Sequence, residues 1–270
     1  MTGWLIYSRE EAERNAWFIG QLIAAAQNCR LDLELKIEEE LQPDDAQPDF
    51  ALYRGRDFDI SRGLEDAGVR VFNRTEVNRI ANDKLAASQL AMMLGVPAIP
   101  TAKVRAVDEI RSFPAVVKTA DGHGGSDVFL LEDEKSAAEL FAERPTEQWI
   151  VQPFIDHTPS DVRLYMLGVV CIGAVKRTGA GSFKSNVALG GTAEPFSPPA
   201  ALTALAERIA KALKSDYVGI DFIQDQDGIW LFNELEDPVG ARSLYAAGDL
   251  DVAEELMKYI SDKLDDPYAG

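Results

Sequence analysis

Apolar and polar residues in the first third of this chain recur with two interleaved periods. Residues 4–7 form a short apolar run, the length of a buried strand. The Ser8-x-x-Glu11 that follows has the spacing of a capping box, in which both side chains satisfy free N–H groups at a helix start. Ala16, Ile19, Leu22, Ile23 and Ala26 then fall on one helical face. Leu31, Leu33, Leu35 and Ile37 alternate strictly with polar residues, the period of a strand. Residues 50–53 and 69–72 give two more strands, and residues 42–48, with two prolines and two aspartates, read as a loop. Strands and helices in this order predict a small parallel α/β layer. Its first turn, Tyr-Ser-Arg-Glu-Glu, has no glycine to admit a pyrophosphate, which argues against a dinucleotide site there.

The pattern then changes. A helix is expected over residues 82–94, ending at Gly95. The next stretch, Gly-Val-Pro-Ala-Ile-Pro-Thr, must be extended, because each proline keeps itself and the residue before it out of a helix interior. Strand signals follow at 115–118, 128–131, 149–152, 163–167 and 169–175, with a helix near 135–143. Beyond them come a helix over 199–213, strands at 217–223 and 229–236, and a closing helix over 251–263. The class predicted is α+β, divided into an N-terminal α/β domain (1–80), a central unit (81–150) and a C-terminal unit (151–270).

Composition narrows the partners. The 270 residues are 46% hydrophobic, enough for about two domains. Against 45 acidic residues stand 27 Lys and Arg, a formal charge of −18 that repels nucleic acids and anionic membrane surfaces. A small anion is different, because it responds to charges within about 8 Å in physiological salt. Cys29 and Cys171, in apolar surroundings, read as reduced core thiols. No apolar run approaches the roughly 18 residues of a membrane span, and no basic residue precedes residues 4–7 as in a secretory signal, so a cytoplasmic protein is expected.

Three groups of residues carry candidate chemistry. In residues 114–128 a β-branched strand ends in Lys118 and is followed by a loop with Gly122, Gly124, Gly125 and Ser126. Glycines let backbone N–H groups approach anionic oxygens, and the lysine adds a point charge, which suits a phosphate clamp as well as an ordinary hairpin. No Gly-Lys-Ser/Thr opens a helix, so it is not a Walker A loop. His123 and His157 are the only histidines, which disfavours a histidine-based metal or catalytic site. The second group is Asp221 with Glu234 and Glu236. Strand alternation puts the two glutamates on one side, and a hairpin through residues 224–228 brings Asp221 to them. Oxygen donors alone suit Mg²⁺ held with substrate phosphates, although an acidic chain also carries such pairs on solvated faces. Apolar neighbours such as Ile220, Phe222 and Phe232 mean that the carboxylates need cations or open water. The third group is cationic: Arg163, Lys176, Arg177 and Lys184, with a glycine-containing stretch ending in Asn186. These suit bidentate grip on carboxylate or phosphate, or salt bridges with the abundant acids.

The order of these features resembles the ATP-grasp superfamily, most closely its RimK-like amino-acid ligases. The matching stretches are Asn-Asp-Lys at 82–84, the Gly95 to Thr101 stretch, Val-Val-Lys at 116–118 with its glycine loop, and Ile-Val-Gln-Pro-Phe-Ile at 150–155. Asp-Val-Arg at 161–163, Lys-Arg at 176–177, Phe-Lys-Ser-Asn at 183–186 and Asn-Glu-Leu-Glu at 233–236 complete them. The resemblance spans about residues 80 to 242. It implies an ATP-grasp fold behind the small α/β domain, ATP as co-substrate and Mg²⁺ or Mn²⁺ as metal. It further implies an ADP-forming carbon–nitrogen ligase that passes through an acyl phosphate, with amino-acid or small-peptide substrates and, by the family's habit, paired subunits. Under it Lys84 and Lys118 contact nucleotide phosphates, the loop from Gly122 to Ser126 covers them, and Gln152, Pro153, Phe154 and Ile155 line adenine. Asp161 meets the ribose, Asp221, Glu234 and Glu236 hold metal, and Arg163, Arg177 and Asn186 face the transferred phosphate and the carboxylate. The last metal position is commonly Asn in the superfamily, whereas Glu236 adds a negative charge, and the usual Pro-Gly is stretched to Pro238-Val239-Gly240. A kinase on the same fold and a regulatory nucleotide binder without turnover are the alternatives.

Overall fold

The computed structural model describes residues 1–42, 45–120, 127–155, 160–179 and 192–266. The N-terminal layer contains β1 (Thr2–Tyr7), α1 (Arg9–Arg14), α2 (Ala16–Asn28), β2 (Asp32–Ile37), β3 (Phe50–Tyr53), α3 (Phe58–Asp66) and β4 (Arg70–Phe72). Its four strands are all parallel, in the order β2-β1-β3-β4, as the alternation of strand and helix signals predicts. Ser8 caps α1 by accepting from Glu11 N at 3.4 Å. The Glu11 carboxylate turns instead to Arg14 and Asn15, so the expected capping box is half made. Two helices follow, α4 (Thr75–Ala81) and α5 (Lys84–Met93); Asp83 caps α5 by accepting from Leu85 N and Ala86 N.

A four-stranded antiparallel sheet lies next in the chain, ordered β5-β8-β6-β7: β5 (Ala102–Val104), β6 (Ala115–Thr119), β7 (Val128–Leu131) and β8 (Trp149–Pro153), with α6 (Glu134–Glu143) between β7 and β8. Ala115, Val117 and Trp149 pack with Ala137 and Leu140 of α6 on one face. Val116 and Lys118 point to the opposite face, where their register partners are Gln152 and Ile150.

The third sheet is antiparallel and ordered β11-β10-β9-β12-β13, from β9 (Ser160–Leu167), β10 (Val170–Thr178), β11 (Thr192–Pro195), β12 (Tyr217–Gln224) and β13 (Trp230–Glu236). Helix α7 (Ala200–Leu213) joins α4 and α5 on one face, over Val162, Leu164, Val218, Ile220 and Phe222. On the other face Tyr165, Leu167, Val175 and Tyr217 share a core with β1 and β3, α2, α8 (Arg242–Ala247) and α9 (Val252–Asp265). Burial on both faces explains why β12 reads as a nearly continuous apolar run. The proline-containing stretch is extended, as predicted, and covers the edge of β13. Phe232 N donates to Pro97 O at 2.8 Å and Ile99 N donates to Phe232 O at 3.2 Å. No helix among the described residues is long and apolar enough to cross a membrane.

Asn73, just past β4, ties the N-terminal layer to the large sheet. Its Oδ1 accepts from Asp216 N and Tyr217 N, and its Nδ2 donates to Tyr217 O and Asp237 Oδ1. Asp216 is buried beside this tie, with Tyr259 Oη donating to Oδ1 at 3.1 Å and, among the described residues, no hydrogen bond to Oδ2. Burial pushes its pKa up to about 6, against the pull of Arg70. The folded state therefore favours the protonated form, and the stability this group contributes is fully present below pH about 4 and is lost as pH rises to about 6. Asp216→Asn should flatten the stability–pH curve in that window and raise stability at pH 7 by up to about 3 kcal/mol. Urea unfolding from pH 4 to 7 reads this directly, and an unchanged slope would contradict it.

Candidate active site

The face of the large sheet that meets the N-terminal layer changes character along its length. On β9 the inward residues run Leu167, Tyr165, Arg163, Asp161, and on β12 they run Tyr217, Gly219, Asp221. The apolar half closes the core and the charged half begins where that core ends. Register puts Arg163 opposite Asp221, and Arg177 of β10 opposite Asp161. A bulge between Asp221 and Phe222 restarts the pairing so that Asp221 faces Glu234 while Phe222 faces Phe232. Without it, Phe232 and Glu234 would lie on one face. With it, Phe232 stays in the core and Glu234 and Glu236 join the charged face.

These side chains form a ladder of alternating charge. Arg163 grips Asp221 bidentately, Nε to Oδ1 at 2.7 Å and Nη2 to Oδ2 at 2.6 Å, and the same Nη2 reaches Glu236 Oε1 at 2.7 Å. Arg177 grips Asp161 the same way, both bonds at 2.6 Å, and its Nη2 also donates to Asp221 Oδ2 at 2.6 Å. Asp221 is 1% exposed and accepts three of the roughly four hydrogen bonds a carboxylate can take. Burial alone would raise its pKa, but the two guanidinium groups outweigh that and hold it below the usual carboxylate range. Burial likewise works against the charged forms of Arg163 and Arg177, and the carboxylates reverse it, so both stay cationic. The extra negative charge of Glu236 is thus matched by Arg163.

Two lysines approach from other elements. Lys84, the first residue of α5, has Nζ 3.4 Å from Glu234 Oε1. Lys118, at the end of the buried β6, has Nζ 3.3 Å from Asn233 Oδ1, and burial lowers its pKa despite the pull of Glu234. Gln152 is buried on β8 with its amide donating to Thr101 Oγ1 at 2.8 Å. Pro153, Phe154 and Ile155 continue from it, half-buried, and Phe154 N donates to Pro114 O. The Asp161 carboxylate, assigned to ribose by the resemblance, is buried with both oxygens on Arg177. Gly122, Gly124, Gly125, Ser126 and Asn186 lie outside the described residues.

Asp221, Glu234 and Glu236 offer three carboxylate oxygens within 4.8 Å of one another. An all-oxygen, anionic donor set fits a hard divalent cation such as Mg²⁺. Glu234 and Glu236, each about a third exposed at 30% and 32%, are the more accessible donors, since Asp221 is taken up by arginine. A cavity of about 360 Å³ opens beside them, between the ladder and the carboxyl ends of β1 and β3. Tyr7, Arg54 and Arg56 line it from the N-terminal layer, a contribution the motif order did not reveal. The signal available was Arg-Gly-Arg at the end of a parallel strand, where open α/β sheets place their ligands.

The model of the RimK-like ATP-grasp domain matches residues 83–260, which include every described member of the ladder and both lysines. The chain belongs to the RimK-like ATP-grasp family. Among relatives of this family, the Mycoplasma genitalium protein MG011 is 28% identical over 262 residues, covering 95% of this chain and 91% of that one. The glutamate–LysW ligase ArgX of Sulfurisphaera tokodaii is 26% identical, covering 74% and 75% of the two chains. The structure of a RimK domain ATP-grasp protein from Sphaerobacter thermophilus superposes with a TM-score of 0.75 at 24% identity, covering 96% and 99%. The expected fold class, α+β with an ATP-grasp fold behind a parallel α/β layer, is the one observed.

Gly219 is what lets Arg163 lie flat across the sheet. A Cβ there would sit 2.7 Å from Val239 Cγ2 and 3.2 Å from Arg163 Cδ. Gly219→Ala should therefore displace the guanidinium and cost about 1–3 kcal/mol, the usual range for overpacking. A loss under about 0.5 kcal/mol in urea unfolding would contradict this contact.

Proposed function

We propose that the protein is an ATP-dependent ligase that joins the carboxylate of one substrate to the amine of another, forming ADP and phosphate. The observation that carries this reading is the charge ladder: two immobilised guanidinium groups open onto one cavity with Glu234, Glu236 and Lys84, and Asp221 and Lys118 are buried behind them. Phosphoryl transfer asks a protein mainly for positioning and charge neutralisation, which this arrangement suits without a nucleophilic Ser, Cys or His. Mg²⁺ held by Glu234 and Glu236, with Asp221 behind them, would neutralise charge on the nucleotide phosphates.

The chain's own residues have distinct tasks in this reading. Lys84 and Lys118 bind and orient the phosphates, and Pro153, Phe154 and Ile155 form the adenine edge. Arg163 and Arg177 face the group in transit, locked in place by Asp161 and Asp221. A substrate carboxylate oxygen takes the γ-phosphoryl group, giving an acyl phosphate and ADP. The amine nitrogen then attacks the acyl carbon, phosphate leaves, and the amine releases a proton. Water must be kept from that intermediate, and the burial of the ladder helps to do so. The name of ArgX, a glutamate–LysW ligase, supports an amino acid among the substrates.

ADP release with ATP, Mg²⁺ and an amino-acid panel tests the reading, and failure to bind ATP at all would end it. Glu234→Gln should lower amino-acid-stimulated ADP release by at least about 100-fold, the scale of losing one electrostatic partner of a transition state. Its unfolding midpoint should stay near that of the wild type, because the side chain is partly exposed. Unchanged turnover would refute the metal role.

A further inference from the structure

The adjacent cations Lys176 and Arg177 of β10 divide between the two faces of the large sheet. Arg177 joins the ladder, whereas Lys176 is the register partner of Val162 and points to the opposite face, the one that α7 covers. A second cavity opens there, of about 370 Å³, a size within the range of small-molecule sites. Among the described residues it shares no lining side chain with the cavity beside the ladder. Phe196 and Trp230 form its apolar wall, both half-buried, with ring centroids 6.0 Å apart and planes at 66°. Lys176 and Asp225 bring one charge of each sign to it.

Neither charge has a task in the chemistry proposed above. Lys176 is half-buried and makes no hydrogen bond or ion pair among the described residues; Glu194, opposite it on β11, is exposed and stands outside the cavity wall. Asp225 sits in the turn between β12 and β13, where its Oδ1 accepts from Asp227 N at 3.0 Å and from Ile229 N at 2.8 Å. Those bonds fix the carboxylate in place without neutralising it. Asp161 also reaches this cavity, but both of its oxygens are held by Arg177. A simple anion would gain Lys176 and meet Asp225, and a simple cation would meet the reverse. A ligand that carries both charges satisfies both, and a flat ring suits the open sides of an edge-to-face aromatic pair.

We infer that this cavity binds a zwitterionic aromatic amino acid, with its carboxylate on Lys176, its ammonium on Asp225 and its ring against Trp230 and Phe196. The site is separate from the one that holds substrates in the ligase reading and stands without it. Val162 and Lys176 belong to the strands that carry Arg163 and Arg177 on the other face, so the ligand lies back to back with the ladder. That is the place of an effector rather than of a reactant.

The test is calorimetric titration of the full chain with L-phenylalanine and L-tryptophan, beside three compounds that each lack one feature: phenethylamine without the carboxylate, 3-phenylpropionate without the ammonium and L-alanine without the ring. At least one aromatic amino acid should bind at least about tenfold more tightly than all three, the scale of one hydrogen bond to a charged group. Lys176→Gln should remove that margin and Lys176→Arg should keep most of it. Asp225→Asn, which retains the acceptor of the turn, should remove it independently. L-Phenylalanine does not absorb at the red edge of the tryptophan band, so its position is read from the protein's own emission: the change on binding should vanish in Trp230→Phe and persist in Trp17→Phe. Binding of neither amino acid, equal binding of L-alanine, or a margin that survives both Lys176→Gln and Asp225→Asn overturns the inference. So does an emission change that persists in Trp230→Phe, which would put the amino acid elsewhere, the cavity beside the ladder included.

Discussion

The guanidinium–carboxylate ladder across β9, β10, β12 and β13 is the constraint on which the site depends. Each charge in it would be costly to bury singly, because desolvation outweighs any one imperfect pairing. Together Arg163, Arg177, Asp161, Asp221 and Glu236 satisfy one another with bonds of 2.6–2.7 Å. Their surroundings follow from that requirement. Residue 219 must be glycine to let the Arg163 stem pass, and the bulge at Asp221/Phe222 must turn Glu234 to the same side as its partners. The apolar core beneath Tyr165 and Tyr217 holds the strands in the register that places each arginine opposite an acid.

The distribution of charge acquires a meaning the net value lacks. A total of −18 works against polyanions as partners of the surface as a whole. Around the cavity the balance reverses, with six basic side chains lining it against four acidic ones among the described residues. A small anion sees those neighbours rather than the remote exterior, because salt screens charges beyond about 8 Å. The acidic exterior and the cationic cavity are therefore compatible, and the cavity is the feature that governs a ligand such as ATP.

Much of this was legible in the chain. The alternation of residues 31–37 and the short runs at 4–7, 50–53 and 69–72 gave the four strands of the parallel layer. Strand periodicity also put Glu234 and Glu236 together and brought Asp221 to them through a hairpin. Pairing partners were not legible: nothing in Arg163 or Arg177 states which acid it will meet, since register across non-adjacent strands is decided by packing of the whole sheet. The bulge was hidden for the same reason. Short or weakly patterned elements such as β5, β11, α3 and α4 take their form from tertiary contacts more than from local preference. Arg54 and Arg56 escaped notice because they lie on a turn with no periodicity, and their importance comes from the cavity that three separated parts of the chain enclose. Asp161 was legible as part of a motif, but its bidentate contact with Arg177 appears only with the register of β9 and β10.

The ladder is tested most directly by equilibrium urea unfolding of Asp221→Asn beside the wild type at pH 7. The amide keeps the shape of the side chain and removes its charge, leaving Arg163 and Arg177 buried without their shared partner. A loss of about 3–5 kcal/mol is expected, the cost of breaking a buried ion pair from one side. Retention of wild-type stability would contradict the ladder as the interaction that organises the site.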